Sequence, residues 1–382
     1  MKNDIVDTKI LFIDTYYPRA LEKISSVLDG TRSYSDLIED VIEFGFGTGG
    51  AYVKSFRDIG VSAELVIPNS HLLQTAWWKS RKHYKIFLNY WNSFQIASRI
   101  PFLRSFLAIL PSPHKILLSQ ILEFRPDVVV VQDLHCVPPR LARTIRKHVK
   151  ILIGEIASPL PPKQYICAYN IIISALPSIV EKCADLGVTS FYVPLAFDKK
   201  YLSNSPMASR EIDVVFIGQI SRLQKNTAPL LQEVARINPT LNIYSPKNEK
   251  LFRSLGLTEN YHGEAWGLEM FKILSNSKIV INRHGEIAGD FAVNMRMYEA
   301  TGSGCALVTE DRSNLNSIFP GTNEVVTYRS IKEAAEKIKE LLESPSDLEE
   351  VARRGQERTL KEHTYEQRVH LLNDILQEYM QR

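Results

Sequence analysis

Short apolar runs of strand length alternate with segments of helical periodicity along most of the chain. Uninterrupted runs rich in β-branched residues indicate strands that are buried on both faces. In the first half these runs are KILFID (9–14), AELVIP (63–68), DVVVVQD (127–133), KILIGE (150–155), NIIIS (170–174) and SFYVP (190–194). The series restarts with DVVFIG (213–218), LNIYS (241–245), KIVINRH (278–284), CALVTE (305–310) and EVVTY (324–328). This alternation predicts an α/β fold in which helices cross parallel sheets.

A polar segment, DKKYLSNSPMASREID, separates the two series of strands and predicts a domain boundary. A chain of 382 residues is long enough for two domains. We therefore predict an N-terminal domain at 1–203, a second domain at 204–360, and a C-terminal helix at 361–382. Both large domains are expected to be Rossmann-like.

Composition narrows the possible environments and partners. The 46 basic and 43 acidic residues leave a net charge of +3, too balanced for nucleic acid to be the main partner. The four cysteines form no C-x-x-C pair, which favours a reducing compartment over zinc or redox motifs. Because no apolar stretch reaches the roughly 18 residues of a membrane span, we expect a cytoplasmic protein.

Glycines at 45, 47 and 50 have the G-x-G-x-x-G spacing of dinucleotide-binding loops. That fingerprint requires a preceding strand, whereas SYSDLIEDVIEF before Gly45 has apolar residues at the spacing of an amphipathic helix. The glycines are thus predicted to lie between two helices. A nicotinamide-dependent oxidoreductase remains an alternative that depends on these glycines alone.

The segment 77–104 interleaves aromatic and basic residues, WWKSRKHYKIFLNYWNSFQIASRIPFLR. Such a segment can bind single-stranded nucleic acid, lie on an anionic membrane surface, or line an acceptor groove. The plainer interpretation is an inserted helical pair whose aromatic residues pack on the domain. Peripheral membrane contact through this segment stays open.

Candidate chemistry concentrates in NRHGEIAGDFAVNMRMYEATGSGCALVTED, residues 282–311. A strand is predicted to end at Arg283 and a helix to start near Ala292. The intervening loop bears His284, Glu286 and Asp290, and the helix bears Asn294, Arg296 and Glu299. Ligands of open α/β sheets bind at the carboxyl ends of strands, and a helix N-terminus favours phosphate. With Arg296 able to reach a diphosphate and Glu299 able to accept ribose hydroxyls, the stretch predicts a nucleotide-sugar site.

The segment YEATGSGCALVTED also resembles the donor-binding segment of glycosyltransferases of the GT-B fold, through Glu299, Ala300, Gly304 and Leu307. The wider pattern NRHGEIAG...NMRMYEATGSG resembles the CgeB-like, spore-maturation branch and, more distantly, glycosyltransferase family 4. The resemblance implies two Rossmann-like domains that face a cleft, with the C-terminal helices returning to the N-terminal domain. It further implies transfer of a sugar from a UDP- or GDP-linked donor to a glycan, small-molecule or protein acceptor.

The resemblance also assigns residues outside this segment. TGGAYVKSFRDIGVSAELVIPN is similar to the family's opening glycine-helix-strand unit, so a side chain at Gly50 is expected to intrude on ligand space. Arg222 and Lys225, which follow Gly218, resemble a basic pair that contacts the donor diphosphate.

Two features of the sequence differ from known glycosyltransferase motifs and bear on the reaction mechanism. Retaining members of family 4 have a glutamate eight positions before the second one, and Phe291 stands there. The sequence thus leaves open whether the transfer retains or inverts the configuration of the sugar. A catalytically inactive nucleotide-sugar-binding or assembly protein is also an open alternative. The sequence contains no D-x-D pair, so we predict no metal site, no cofactor and a metal-independent transfer.

Acid and base candidates lie at predicted strand ends. Asp133 and His135 follow VVVV and are the preferred candidates in the N-terminal domain, ahead of Asp14 and Glu155. In the second domain His284 and Glu286 are the catalytic candidates, because both lie in the predicted donor loop.

Overall fold

The computed structural model describes residues 7–81, 113–202, 206–220 and 226–381. The chain divides into two compact units. The first unit contains the residues up to Val193 together with those from Leu372 onward, and the second unit is Pro194–Leu371. The division thus falls before the boundary at 203/204 that the sequence suggests.

The first unit is built on a parallel sheet with strand order β2-β1-β3-β4-β5-β6. Its strands are β1 (Lys9–Ile13), β2 (Ser62–Val66), β3 (Val128–Val131), β4 (Ile151–Glu155), β5 (Ile171–Ser174) and β6 (Thr189–Tyr192). Its helices are α1 (Pro18–Val27), α2 (Tyr34–Phe44), α3 (Gly49–Asp58), α4 (His71–Ser80), α5 (Pro113–Phe124), α6 (Pro139–Ile145), α7 (Lys163–Ile166) and α8 (Pro177–Asp185). Every residue of β3 and β5 is buried, as expected for central parallel strands.

Helix α2 confirms the helical interpretation of the residues before Gly45. Its N-cap Ser33 accepts a hydrogen bond from the amide of Asp36, and it ends at Gly45, whose φ of 76° is left-handed. Helix α3 begins four residues later at Gly49. Because a helix precedes these glycines where a dinucleotide fingerprint needs a strand, the structure does not support a nicotinamide site there.

The second unit has its own parallel sheet, with strand order β11-β10-β9-β7-β8. Its strands are β7 (Ile212–Ile217), β8 (Asn242–Tyr244), β9 (Ser277–Asn282), β10 (Ala306–Glu310) and β11 (Val326–Tyr328). Its helices are α9 (Thr227–Ile237), α10 (Glu249–Leu255), α11 (Leu268–Ser275), α12 (Met295–Gly302), α13 (Leu315–Ile318), α14 (Ile331–Glu343), α15 (Pro345–Glu362) and α16 (Tyr365–Gln381). Helix α16 starts in the second unit, and its last residues belong to the first.

The α/β fold is confirmed, and so is each strand predicted from an apolar run, with ends that differ from the prediction by at most two residues. One helix boundary is wrong. Helix α12 starts at Met295 and not near Ala292, because Asn294 is its extended N-cap residue. Among the described residues, no helix is both long and apolar enough to cross a membrane.

Candidate functional site

The carboxyl ends of β9 and β10 lie side by side in the second unit, since Asn282 pairs with Thr309 in the parallel register. The side-chain amide of Asn282 donates to the Thr309 hydroxyl at 2.9 Å, and its oxygen accepts from the side-chain amide of Asn294 at 2.8 Å. Asn294 also donates to the carbonyl of Arg283 at 2.9 Å. The residue before α12 is therefore fixed to the end of β9.

Asn294 caps α12, a function that the spacing along the chain did not predict. Its side-chain oxygen accepts from the amide of Met297 at 3.2 Å, the bond that satisfies a free N–H in the first turn of α12. Its side-chain amide nitrogen donates to the side-chain oxygen of Asn282 and to the carbonyl of Arg283. Direct contact between Asn294 and a nucleotide stays a prediction.

Arg296 and Glu299 lie on the same face of α12 and form an ion pair of 2.8 Å between Nη1 and Oε2. Arg296 also donates through Nε to the carbonyl of Ile217 at 3.1 Å, which places the pair at the end of β7 beside Gly218. Both side chains are largely buried. Because a carboxylate has acceptor positions for several donors, Glu299 can pair with Arg296 and still accept ligand hydroxyls.

His284 lies inside the unit, not at its surface. Only 1% of it is exposed, and its Nε2 lies 3.1 Å from the Thr309 hydroxyl. Burial is the main reason that its pKa falls to about 4, although Glu310 and the Val293 backbone act to raise it. The imidazole is thus neutral at pH 7 and supports the loop from within, whereas a catalytic role for it stays a prediction.

Glu286, the other catalytic candidate of this loop, has a different environment. It lies in a short 3-10 turn, Glu286–Ala288, and is exposed. Asp290 is exposed as well. The two acidic residues of the loop are therefore at the surface, whereas His284 is in the interior.

In the first unit, three carboxyl groups lie at the ends of adjacent strands: Asp14 after β1, Asp133 after β3 and Glu155 at the end of β4. Asp133 accepts from the Thr15 hydroxyl at 2.8 Å and from the amide of His135 at 2.9 Å. Its side chain thereby caps the short 3-10 turn Leu134–Cys136. Because Asp133 accepts from Thr15, the neighbour of Asp14, it lies at the same edge of the sheet as Asp14. His135, two residues further on, is exposed.

Asp14 has the most unusual electrostatic environment of this group. It is 8% exposed, and its carboxylate accepts from the amides of Thr15 at 2.7 Å and Gly49 at 3.4 Å. Burial raises its pKa to about 7; the charges of Glu155 and Asp133 also raise the pKa, while the two backbone amides lower it. Burial likewise raises the pKa of Glu155. Asp14 is the carboxyl group best matched to proton transfer near neutral pH.

Gln132 connects these carboxyl groups to the start of α3. Its Nε2 donates to Glu155 at 3.0 Å and to the Thr48 hydroxyl. Its Oε1 is buried and has no hydrogen-bond partner among the described residues. A buried acceptor without a partner is energetically costly, and a ligand hydroxyl bound at this edge would satisfy it.

Of the opening glycines, Gly47 and Gly49 are those whose added Cβ would meet close neighbours, whereas Gly50 has room for one. The expected contact between a Gly50 side chain and a ligand stays a prediction. A Cβ at Gly50 would lie 3.5 Å from Ile42 of α2, an ordinary van der Waals contact. A Cβ at Gly49 would lie 2.7 Å from Gln132 Oε1 and 2.8 Å from Leu65. Gly50 therefore packs on a helix, whereas Gly49 lies against Gln132 and Asp14.

Some predicted residues lie outside the described part of the chain. Arg222 and Lys225 belong to residues 221–225, which the structure does not describe. The aromatic-basic segment 77–104 is described only up to residue 81. Their predicted contacts with a diphosphate, an acceptor or a membrane stay predictions. Within the described ranges, no cluster of three or more histidine, cysteine or acidic residues could hold a metal ion.

Comparisons with known proteins bear on the family and the fold of the chain. Residues 225–374 match the family model described as glycosyl transferase-like. No curated protein sequence is significantly similar to the chain.

Several solved structures share the fold over nearly the whole chain. Anabaena HepE in complex with UDP-glucose superposes with a TM-score of 0.61 at 12% identity, covering 97% of this chain and 100% of HepE. A glycosyltransferase from Rickettsia africae gives 0.58 at 9% identity, covering 98% of both chains. Sucrose-phosphate synthase from Thermosynechococcus elongatus gives 0.58 at 8% identity, covering 98% of this chain and 99% of its own. At such identities the likeness shows the GT-B fold that these proteins have in common.

Proposed function

We propose that this chain, a glycosyltransferase of the GT-B fold, moves a sugar from a nucleoside diphosphate donor to an acceptor hydroxyl without a catalytic metal ion. The observation that carries the proposal is the Arg296–Glu299 pair at the carboxyl end of β7, inside the segment that matches the glycosyl transferase-like family. Ligands of open parallel sheets bind at the carboxyl ends of the strands, which supports a nucleotide site beside this pair. That HepE was solved with UDP-glucose supports UDP as the first donor nucleotide to test.

On the donor side, each group has a distinct task. Glu299 accepts hydrogen bonds from ribose hydroxyls, and Arg296 offsets the charge of the diphosphate together with the N-terminus of α12. Gly218 lets the donor approach the end of β7 closely because it has no side chain. Arg222 and Lys225 are proposed to add positive charge for the leaving nucleoside diphosphate.

On the acceptor side, we assign the general base to Asp14 in preference to Asp133 and His135. The Asp14 carboxylate takes the proton of the acceptor hydroxyl while that oxygen bonds to the anomeric carbon of the sugar. The bond from the anomeric carbon to the diphosphate breaks, and the nucleoside diphosphate leaves with its electron pair. A pKa near 7 supports this role, since a base is most effective when its pKa is close to the working pH.

Turnover assays with UDP- and GDP-linked sugars, in the presence of EDTA, test the proposed function. We expect hydrolysis or transfer from at least one donor, with a rate that EDTA leaves within about twofold. Tight binding without turnover would instead favour a nucleotide-sugar-binding protein. Complete loss of activity in EDTA that returns with Mn²⁺ would contradict the metal-independent mechanism.

The donor assignment predicts a specific loss of nucleotide affinity in Glu299→Gln. Losing charge-assisted bonds to ribose hydroxyls should weaken nucleoside diphosphate binding by about 1.5–3 kcal/mol, roughly 10- to 150-fold in Kd. Titration calorimetry measures this change. The matched control is Glu333→Gln, which also removes a helical ion pair, between Glu333 and Lys337 at 2.7 Å. Equal affinities in the wild type and Glu299→Gln would rule out the ribose contact.

A further inference from the structure

Glu310 is the last residue of β10, and its carboxylate binds three groups around the start of the donor loop. Oε1 accepts from Arg283 Nε at 3.1 Å, and Oε2 accepts from the His284 amide and Arg312 Nη2, both at 3.0 Å. The side chains of Glu310 and Arg283 are 16% and 9% exposed. Charge-assisted bonds at this burial are stronger and more directional than surface ion pairs.

The residues that follow Glu310 hold the rest of the same loop. Arg312 donates to the carbonyl of Gly289 at 3.0 Å. The backbone and hydroxyl of Ser313 both donate to the carbonyl of Asp290, at 3.0 and 2.9 Å. Asn314 accepts from the amide of Ala292 at 2.6 Å and donates to its carbonyl at 3.2 Å. The loop 283–294 is thus bonded along its length to the segment 310–314.

We propose that Glu310 is a positioning residue for the donor sugar, acting through the loop 283–294 that it fixes beside β9. This loop bears Glu286 and Asp290, two exposed acidic groups that the proposed function assigns to the side of the transferred sugar. Arg296 and Glu299 lie beyond the loop on α12 and are held by Ile217 and by each other. Loss of Glu310 therefore affects the sugar side of the site more than the nucleotide side.

The inference rests on the proposed function, and its test has one readout that needs no turnover. Hydrogen exchange of the full-length free protein is compared between the wild type and Glu310→Ala. We expect amides in 284–292 to exchange at least tenfold faster in the variant, while amides of β9 exchange at the wild-type rate. Glu310→Gln should show a smaller increase, because it retains an acceptor for the His284 amide and loses only the charge.

The second readout is kinetic. Glu310→Ala should lower kcat for the donor sugar at least tenfold and leave the Kd for the free nucleoside diphosphate within threefold. The matched control is Glu324→Gln, another buried glutamate of this unit, which pairs with Arg358 at 2.8 Å and accepts from the Gly321 amide. Glu324→Gln can destabilise the whole unit, but it should not accelerate exchange in 284–292 more than in the rest of the unit.

Arg312→Gln provides a second variant in case Glu310→Ala does not fold. It removes the bond to Gly289 while Glu310 keeps its bonds to Arg283 and His284, so exchange should accelerate in the later part of the loop. Unchanged exchange in the loop in both variants would overturn the proposal, as would a parallel loss of kcat and nucleotide affinity in Glu310→Ala. If the wild type turns over no donor, the proposed function fails, and the exchange experiment still decides whether Glu310 fixes the loop.

Discussion

Asp14→Asn should lower kcat by about 10² to 10³ and, at pH 8, raise the melting temperature of the protein. The loss of activity follows from the removal of a general base, which typically contributes a factor of 10² to 10⁴. The gain in stability follows because asparagine keeps the size of the side chain without placing a charge at a position that is 8% exposed. A variant that is more stable and almost inactive would identify Asp14 as a functional group that the fold accommodates at a cost.

The sign of the pH dependence can be worked out from the raised pKa of Asp14. The pKa is 3.8 for an ordinary aspartate and about 7 here, so between these values the folded protein holds a proton that the unfolded chain has lost. The contribution of Asp14 to stability is therefore present below pH 4 and lost as the pH rises to 7. At about 1.4 kcal/mol per pH unit, the whole effect is at most about 4 kcal/mol. Urea unfolding at several pH values should show this slope in the wild type and not in Asp14→Asn.

Activity should have the opposite pH dependence. Because the base must be ionised, kcat/KM of the wild type should rise with pH and level off above about 7. Glu155→Gln is the matched variant: it removes a neighbouring charge that raises the pKa of Asp14, so its profile should move to lower pH with a similar plateau. Activity of Asp14→Asn within threefold of the wild type would return the base assignment to Asp133 or His135.

The strands of both sheets could be predicted because each strand is a local apolar run. VVVV at 128–131 is buried at every position, and its composition alone indicates a central strand. The helix before Gly45 was likewise predictable from the spacing of its apolar residues. The start of α12 was not predictable, since it depends on bonds from Asn294 to Asn282 and Arg283 at the end of β9.

The placement of the candidate residues at strand ends was predictable, but their environments were not. A strand end marks Asp14, Asp133 and Glu155 as candidates, whereas the burial that raises the pKa of Asp14 depends on the order of β1, β3 and β4 in the sheet. Glu310 lies inside the segment 282–311, in TED at its end. Its three partners are brought to it by neighbouring strands and loops, which no spacing along the chain reveals.

Gly302, the last residue of α12, is a position where even a methyl group has no space. A Cβ there would lie 2.4 to 2.5 Å from three ring atoms of Phe197. The Phe197 ring cannot easily move, because its backbone donates to the carbonyl of His363 at 2.8 Å and accepts from the amide of Tyr365 at 3.2 Å. The ring is 1% exposed and also packs edge-on against Phe271.

Gly302→Ala should therefore destabilise the second unit by about 3 kcal/mol, the cost of overpacking a core, although alanine is normally favoured over glycine in a helix by about 1 kcal/mol. Gly302→Val should be more severe. Since α12 bears Arg296 and Glu299, nucleotide affinity should fall as well. Hydrogen exchange of β9 across a urea series reports the stability of this unit, and calorimetry reports the affinity.

Gly50→Ala is the matched control, because Gly50 is also a buried helical glycine and a Cβ there would lie at an ordinary 3.5 Å from Ile42. It should be neutral or slightly stabilising. The double variant Gly302→Ala with Phe197→Leu tests the cause, since a smaller side chain at 197 should make the alanine at 302 less costly than in the single variant. If Gly302→Ala is as stable as the wild type, or if the two substitutions are additive, the contact with Phe197 is not what requires glycine at position 302.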